Sequence, residues 1–301
     1  MYDRSDPRFA LQTSGAPSAA PPTVMPEAHV ARFYEEACQE DTADGKTWYQ
    51  RGQTFLLTYS EAKPGAVFSR GSDQRDEYVV LLDDPNARAI IRWSGVEVEV
   101  PGHSIAFVPQ GASSVAMPDG GQLVRLFTER ATDLLAKCPN NDAFTSRQPN
   151  IPELRAWPEP ADGLKVRHYS LDVAPEPGRF GRIFRCTTFM VNVFDPAGPR
   201  DPRKMSPHHH DDFEQCSLAL AGAYDHLLRW PWTPDMTTWK ADAREHCSSP
   251  SSTIIPPPVI HTSLALSEVN RLVDIFCPPR RDFSEKAGWV LNADDYPMPA
   301  A

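Results

Sequence analysis

From Gly45 onward the chain breaks into short runs of β-forming residues, and no run is long enough for a substantial helix. "TFLLTYS", "EYVVLL", "ARAIIRW", "VEVEV", "SIAFVP" and "QLVRLFTE" follow one another, separated by Gly, Pro, Asp and Asn. After a stretch poor in order signals, "CPNNDAFTSRQPNIPELRAWPEPADG", the pattern resumes with "KVRHYSL", "IFRCTTFMVNVF", "QCSLALAGAY", "STIIPP" and "RLVDIFCPP". Evenly spaced short strands with turn residues between them predict an antiparallel sandwich or barrel. The gap predicts two such units with a boundary near residue 150. Ahead of them, residues 1–45 hold a Pro-, Ala- and Ser-rich tail and then "AHVARFYEEACQE", whose apolar spacing of three and four predicts one amphipathic helix.

The second unit contains "SPHHHDDFEQ", Ser206 to Gln215, with three of the chain's nine histidines. In an extended chain the side chains alternate between faces, so His208, His210, Asp212 and Glu214 share one face and His209 and Phe213 the other. Two imidazoles and a carboxylate then converge. Neutral imidazole and carboxylate suit a divalent iron, manganese, nickel, cobalt or zinc ion with positions left open for substrate or water.

These residues resemble the first motif of the cupin family, a glycine, then His-x-His, then a Glu three or four residues on. The second motif, Pro-x-Gly-x-x-His, is matched by "PPPVIH", Pro256 to His261, with Pro258 in place of glycine and Pro202 in place of the leading glycine. The first half repeats the frame without the ligands: Gly65, then Gly71 and Asp73 at the histidine positions, Glu77, and "PQGASS" with Pro109, Gly111 and Ser114. The resemblance spans roughly Trp48 to Gly288. It implies an all-β chain of two jelly-roll barrels, a degenerate barrel over 46–150 without metal ligands and a metal-binding barrel over 151–301. It also implies one divalent transition metal per chain, Fe(II) first among the candidates, held by His208, His210, Glu214 and His261.

Tyr224 and His226 continue the even-numbered face of the motif strand and are candidate catalytic groups together with Glu214; Gly222 between them can introduce a bulge. Arg200, Arg203 and Lys204 precede the ligands and can draw a carboxylate to the barrel mouth, with Arg203 the chosen substrate contact. Trp230, in "RWPWTPDMTTW", is the second, as part of an insertion between Glu214 and Pro256 that could cover the mouth.

The expected function is that of a dioxygenase acting on a small carbonyl- or carboxylate-bearing substrate, with a metal-dependent ketol-isomerase or lyase of a sugar acid or keto acid as the alternative and a binding module without turnover as the second. The formal charge of −10 and the absence of a basic stripe exclude nucleic acid or an anionic membrane as the main partner. A small molecule is the expected partner, and a homodimer is allowed. Six cysteines without CxxC spacing, and an amino terminus without a basic-then-apolar pattern, predict reduced thiols in a cytoplasmic protein.

Overall fold

The computed structural model describes residues 25–300, so most of the Pro-rich tail lies outside the described residues. The β-type runs form four antiparallel sheets arranged as two jelly-roll barrels. The first barrel joins a seven-stranded sheet, centred on Tyr78–Leu82, Gly121–Thr128 and Phe55–Ala62, to a four-stranded sheet centred on Ser113–Met117 and Arg88–Trp93. Its interior is packed with Tyr78, Leu82, Ile91, Val115, Met117 and Phe127. The second joins a six-stranded sheet, centred on Gln215–Ala221 and Arg271–Phe276, to a three-stranded sheet of Ala243–Ser248, Ala223–Arg229 and Ile260–Ala265.

The two wide sheets pack against each other. Odd-numbered Val79 and Leu81 of one and even-numbered Leu218 of the other meet in a shared core with Phe107, Phe184 and Ile275. Strand Tyr78–Leu82 of the first barrel is therefore apolar on both faces, one toward its own barrel and one toward the neighbour, and its sequence loses strict alternation.

The helix expected over Ala28 to Glu40 is absent. His29–Arg32 is instead a strand, followed by a single turn in which the amides of Glu35 and Glu36 both donate to the Arg32 carbonyl, and Glu40–Thr42 is a second strand. Pairing decides the outcome: His29–Arg32 lies antiparallel to Ser251–Ile254 at the edge of the second barrel, where Ala31 and Phe33 are buried. A ladder onto an existing sheet overrides the weak helix preference of so short a segment. The boundary expected near residue 150 is crossed in the other direction, because Arg167–Ser170 pairs with Ser104–Phe107 and edges the first barrel's sheet. The barrels have exchanged edge strands.

A pair of buried carboxylates also fastens each barrel to the other. Glu77, just before strand Tyr78–Leu82, accepts bonds from the Thr187 amide (3.0 Å), the Thr187 hydroxyl (2.9 Å) and the Tyr296 hydroxyl (2.7 Å). Glu214, just before strand Gln215–Ala221, accepts from the Gln53 amide at 2.6 Å. Gln53 and Thr187 occupy matching places in "RGQTF" (51–55) and "RCTTF" (185–189), so the clasp is reciprocal. Glu77→Ala leaves three buried donors without their acceptor, and we expect a loss of about 3–5 kcal/mol in denaturant unfolding at unchanged m-value. A loss below about 1 kcal/mol would show that water replaces the carboxylate freely.

All six cysteines are free thiols. Among the described residues no helix is long and apolar enough to cross a membrane.

Candidate metal centre

His208 and His261 face each other because their backbones form an isolated antiparallel bridge, with amide-to-carbonyl distances of 3.0 and 2.7 Å in the two directions. Their rings lie 4.3 Å apart between centroids, and the His210 ring completes a triangle at 5.1 and 5.2 Å. One ligating nitrogen from each lies within 4.8 Å of the others, and all three residues are buried.

Local hydrogen bonds set which nitrogen each ring offers. His208 Nδ1 lies 3.0 Å from the Ser206 carbonyl and His261 Nδ1 lies 2.9 Å from the Val259 carbonyl. A carbonyl only accepts, so both Nδ1 atoms carry the proton and Nε2 holds the lone pair a metal requires. His210 stacks on Phe213 at 4.3 Å and meets the edge of Phe276 at 6.1 Å. Burial, followed by the positive charge of Arg280 and the other two imidazoles, holds its basicity far below the ordinary histidine range. His210 is therefore a neutral imidazole, the form that ligates.

Glu214 does not join the histidines. The alternation counted from His208 assumed an extended chain, but residues 211–212 bend and the strand begins only at Gln215. The bend turns Glu214 toward Gln53 in the other barrel. There burial raises its carboxyl to about 7, against the opposing effect of the Gln53 amide and of Arg51. Asp212, expected on one face with His208 and His210, is exposed, and His209 points to solvent beside Asp211.

Gln215, rather than Glu214, is the polar side chain beside His210. Its Nε2 donates to Asp274 Oδ1 (3.1 Å) and Ser217 Oγ (3.0 Å), which fixes the amide with Oε1 3.0 Å from His210 Nε2. That spacing suits a hydrogen bond, and it equally matches the ~3 Å between neighbouring donors each ~2.1 Å from one ion at right angles. The group formed by three imidazoles and an amide oxygen fits a divalent transition ion, with Asp274 behind the amide as its orienting partner. Gln215 stands five residues beyond His210, one past the position of Glu214, and its nearness to the motif is the signal by which sequence reading could have found it. Asp274 gave a different signal, a lone charge inside the apolar run "LVDIF" (272–276).

A cavity of about 580 Å³ opens over this group, lined among others by Arg200, His208, Gln215, Tyr224, His261 and Asp274. Tyr224 and His226 both face inward, since His226 is opposite Ser263 and Leu228 opposite His261 in the paired strands. The irregularity near Gly222 precedes them and is absorbed there: the ladder shifts between Ala219 and Ala221, and at φ +84° a Cβ on Gly222 would come within 2.4 Å of Asn270 Oδ1. His226 is buried with Nδ1 2.9 Å from Ser263 Oγ, and burial brings its basicity down to about 4.

The two expected substrate contacts lie elsewhere. Arg203 is 89 % exposed and pairs with Asp201 at 3.1 Å, because the loop carrying it runs outside the mouth. Arg200 is the cation that lines the cavity, held by the Ser263 carbonyl (3.2 Å) and the Ser206 hydroxyl (2.9 Å). Trp230 is core: it packs with Met25, Leu228, Ile255 and Val259 and donates from Nε1 to the Pro26 carbonyl at 2.8 Å. Trp232 and Trp239 stack on each other at 4.6 Å on the surface, outside the cavity lining.

The fold has clear likenesses among solved structures. AerE from Microcystis aeruginosa is matched over 84 % of this chain and 98 % of its own, with TM-score 0.53 and 10 % identity. The formate complex of oxalate decarboxylase from Lactobacillus farciminis is matched over 83 % and 86 %, with TM-score 0.55 and 14 % identity. The R92A mutant of the Bacillus subtilis oxalate decarboxylase OxdC is matched over 85 % and 78 %, with TM-score 0.52 and 12 % identity. No protein-family model matches the chain, and neither does any curated protein.

Proposed function

We propose that the second barrel is the active site of a divalent-metal enzyme that rearranges or cleaves a small carboxylate-bearing carbonyl compound, a lyase or isomerase. The observation that supports this most is the donor set: three neutral imidazoles and a neutral amide at the floor of a cavity with Arg200 in its wall. Neutral donors leave a dication its full charge, so when bound it polarises a substrate oxygen strongly. Likeness to oxalate decarboxylases, which share the architecture, agrees with this class of chemistry.

The chain's own groups supply binding and proton handling. Arg200, its guanidinium held by backbone and Ser206, presents a fixed positive charge to a carboxylate. Ser263 lines the cavity and touches His226 Nδ1, so a proton taken up at the serine hydroxyl has a neutral imidazole behind it. Tyr224 adds a phenol in the cavity wall, and burial keeps it protonated as a donor. Glu214 has no part in this chemistry because its carboxylate faces the other barrel.

Arg200→Leu should raise KM for a carboxylate substrate ~10-fold or more, while Arg203→Leu leaves it unchanged; Tyr224→Phe and His226→Asn should lower kcat by ~10²-fold. The decisive measurement follows product formation by NMR over keto acids, keto-uronates, diketones and catechols, with an oxygen electrode in the same cell. Turnover without oxygen uptake supports the proposal. One oxygen consumed per turnover would replace it with the dioxygenase reading, and metal binding with no turnover of any of these would leave a binding module.

A further inference from the structure

The cavity over the histidines changes character along its length. In the wide sheet of the second barrel Asp274 lies level with Ser217 and Asn192. Leu272, two residues away on the same face, lies level with Ala219 and with Phe194, whose amide donates to the Leu272 carbonyl at 3.1 Å. In the facing small sheet the inward residues run His261, Ser263, Ala265, so both walls turn from polar to apolar in the same direction. Leu272 stands four residues along the strand from the level of Gln215, roughly 13 Å at ~3.3 Å each.

Phe180 completes the apolar end. Its ring meets Phe194 edge-on at 5.1 Å and is backed by Phe283 at 5.8 Å and Trp289 at 6.2 Å, so packing outside the cavity fixes this wall. Phe180, Phe194, Leu272 and Ala265 all line the cavity and are only partly buried, so each turns apolar surface into it. The matching leucine of the first barrel, Leu123 in "LVRLF", is fully buried, and Arg125 beside it lies 4.3 Å from the centre of the Phe68 ring. The first barrel is packed where the second is open.

Polar groups at this end are already engaged. Asn270 donates to the carbonyls of Ala197 and Ser267 and accepts from the Ser267 amide, and Asp195 pairs with Arg182 at 3.3 Å. Tyr224, level with Ala265, offers one phenol. A polyhydroxylated body placed here would give up its hydrogen bonds to water and regain few, whereas an apolar body gains by burial. The volume of about 580 Å³ falls in the range of ~300–1,000 Å³ that encloses drug-sized ligands, well beyond the needs of a two- or three-carbon acid.

We propose, building on the function proposed for this cavity, that the substrate carries an apolar body beyond its carboxylate and carbonyl head, and that Phe180, Phe194 and Leu272 select it against short and polyhydroxylated acids.

The test is calorimetric titration of the full-length chain, loaded with one equivalent of Mn(II), with three 2-hydroxy acids that share one head: lactate, 2-hydroxyhexanoate and gluconate. The last two have six carbons each and differ only in the hydroxyls of the body. 2-Hydroxyhexanoate should bind at least about ten-fold more tightly than either of the others. Phe194→Ser should reduce that preference at least about three-fold, and Leu272→Asn, at the other side of the same wall, should do the same. A smaller preference in the wild-type chain, or a smaller reduction in both variants, would overturn the proposal and leave the carboxylate site standing. If none of the three acids binds, or if Arg200→Leu leaves all three affinities unchanged, the carboxylate reading falls and takes the proposal with it. The wild-type series decides by itself if neither variant folds.

Discussion

Metal analysis of His208→Ala and His261→Ala should find bound metal reduced from one equivalent per chain to less than ~0.1, with turnover lost alongside it. Each substitution removes one of the three imidazoles and leaves the backbone bridge between positions 208 and 261 in place, so the loss is that of a ligand and not of the fold. Two imidazoles and an amide bind a divalent ion far more weakly than three. His209→Ala is the control from within the same run; its side chain is 48 % exposed and pairs with Asp211, so metal content should stay within about a fifth of wild type. Equal loss in His209→Ala would mean that the ion sits outside the barrel.

A second contrast separates two neighbouring residues. Gln215→Leu removes the amide oxygen beside His210 and leaves Asp274 without the donor it orients, so metal affinity should fall by ~10- to 100-fold in equilibrium dialysis. Glu214→Ala should leave affinity within about two-fold, because its carboxylate serves the Gln53 amide in the other barrel; its effect belongs to stability, about 1–3 kcal/mol for the orphaned amide. The two outcomes are opposite in kind. If Glu214→Ala lost metal and Gln215→Leu kept it, the bend after His210 would have to straighten on metal binding, and the donor set described above would be abandoned.

Much of the fold was legible because β-runs bounded by Gly, Pro, Asp and Asn carry their own punctuation. The runs around Phe55, Tyr78, Ile105, Leu123, Leu218 and Val273 became strands close to where the spacing put them. His208, His210 and His261 were legible because three buried imidazoles have few other uses. Glu214 was misread for a physical reason: the period of two holds only while the chain stays extended, and the bend at 211–212 brings odd-numbered Gln215 inward until the irregularity at Ala219–Ala221 returns the even-numbered Tyr224 and His226 to that face. The segment after Ala28 was misread because its apolar spacing fits a helix, whereas its partner, the edge at Ser251–Ile255, lies far along the chain and leaves no local trace. Arg203 and Trp230 were chosen for chemistry alone, and neither loop position nor core packing can be read from residue type. Asp274 and Arg125 did leave a trace. Each is the single charge inside an otherwise apolar stretch, "LVDIF" (272–276) and "LVRLF" (123–127), at equivalent places in the two halves.

The exchange of edge strands has a consequence for how the molecule is made. A chain emerging from the ribosome presents its amino-terminal segment first, and domains generally complete themselves in that order. The first barrel has all of its strands once Arg167–Ser170 has appeared. His29–Arg32, which is made before either barrel, waits for Ser251–Ile255, roughly 200 residues later and on the order of 10–40 s at ordinary synthesis rates. During that interval it is a bare strand with unpaired backbone groups, open to wrong partners. Tags or truncations at the amino terminus therefore act at a distance, on closure of the late-made barrel that contains the histidines.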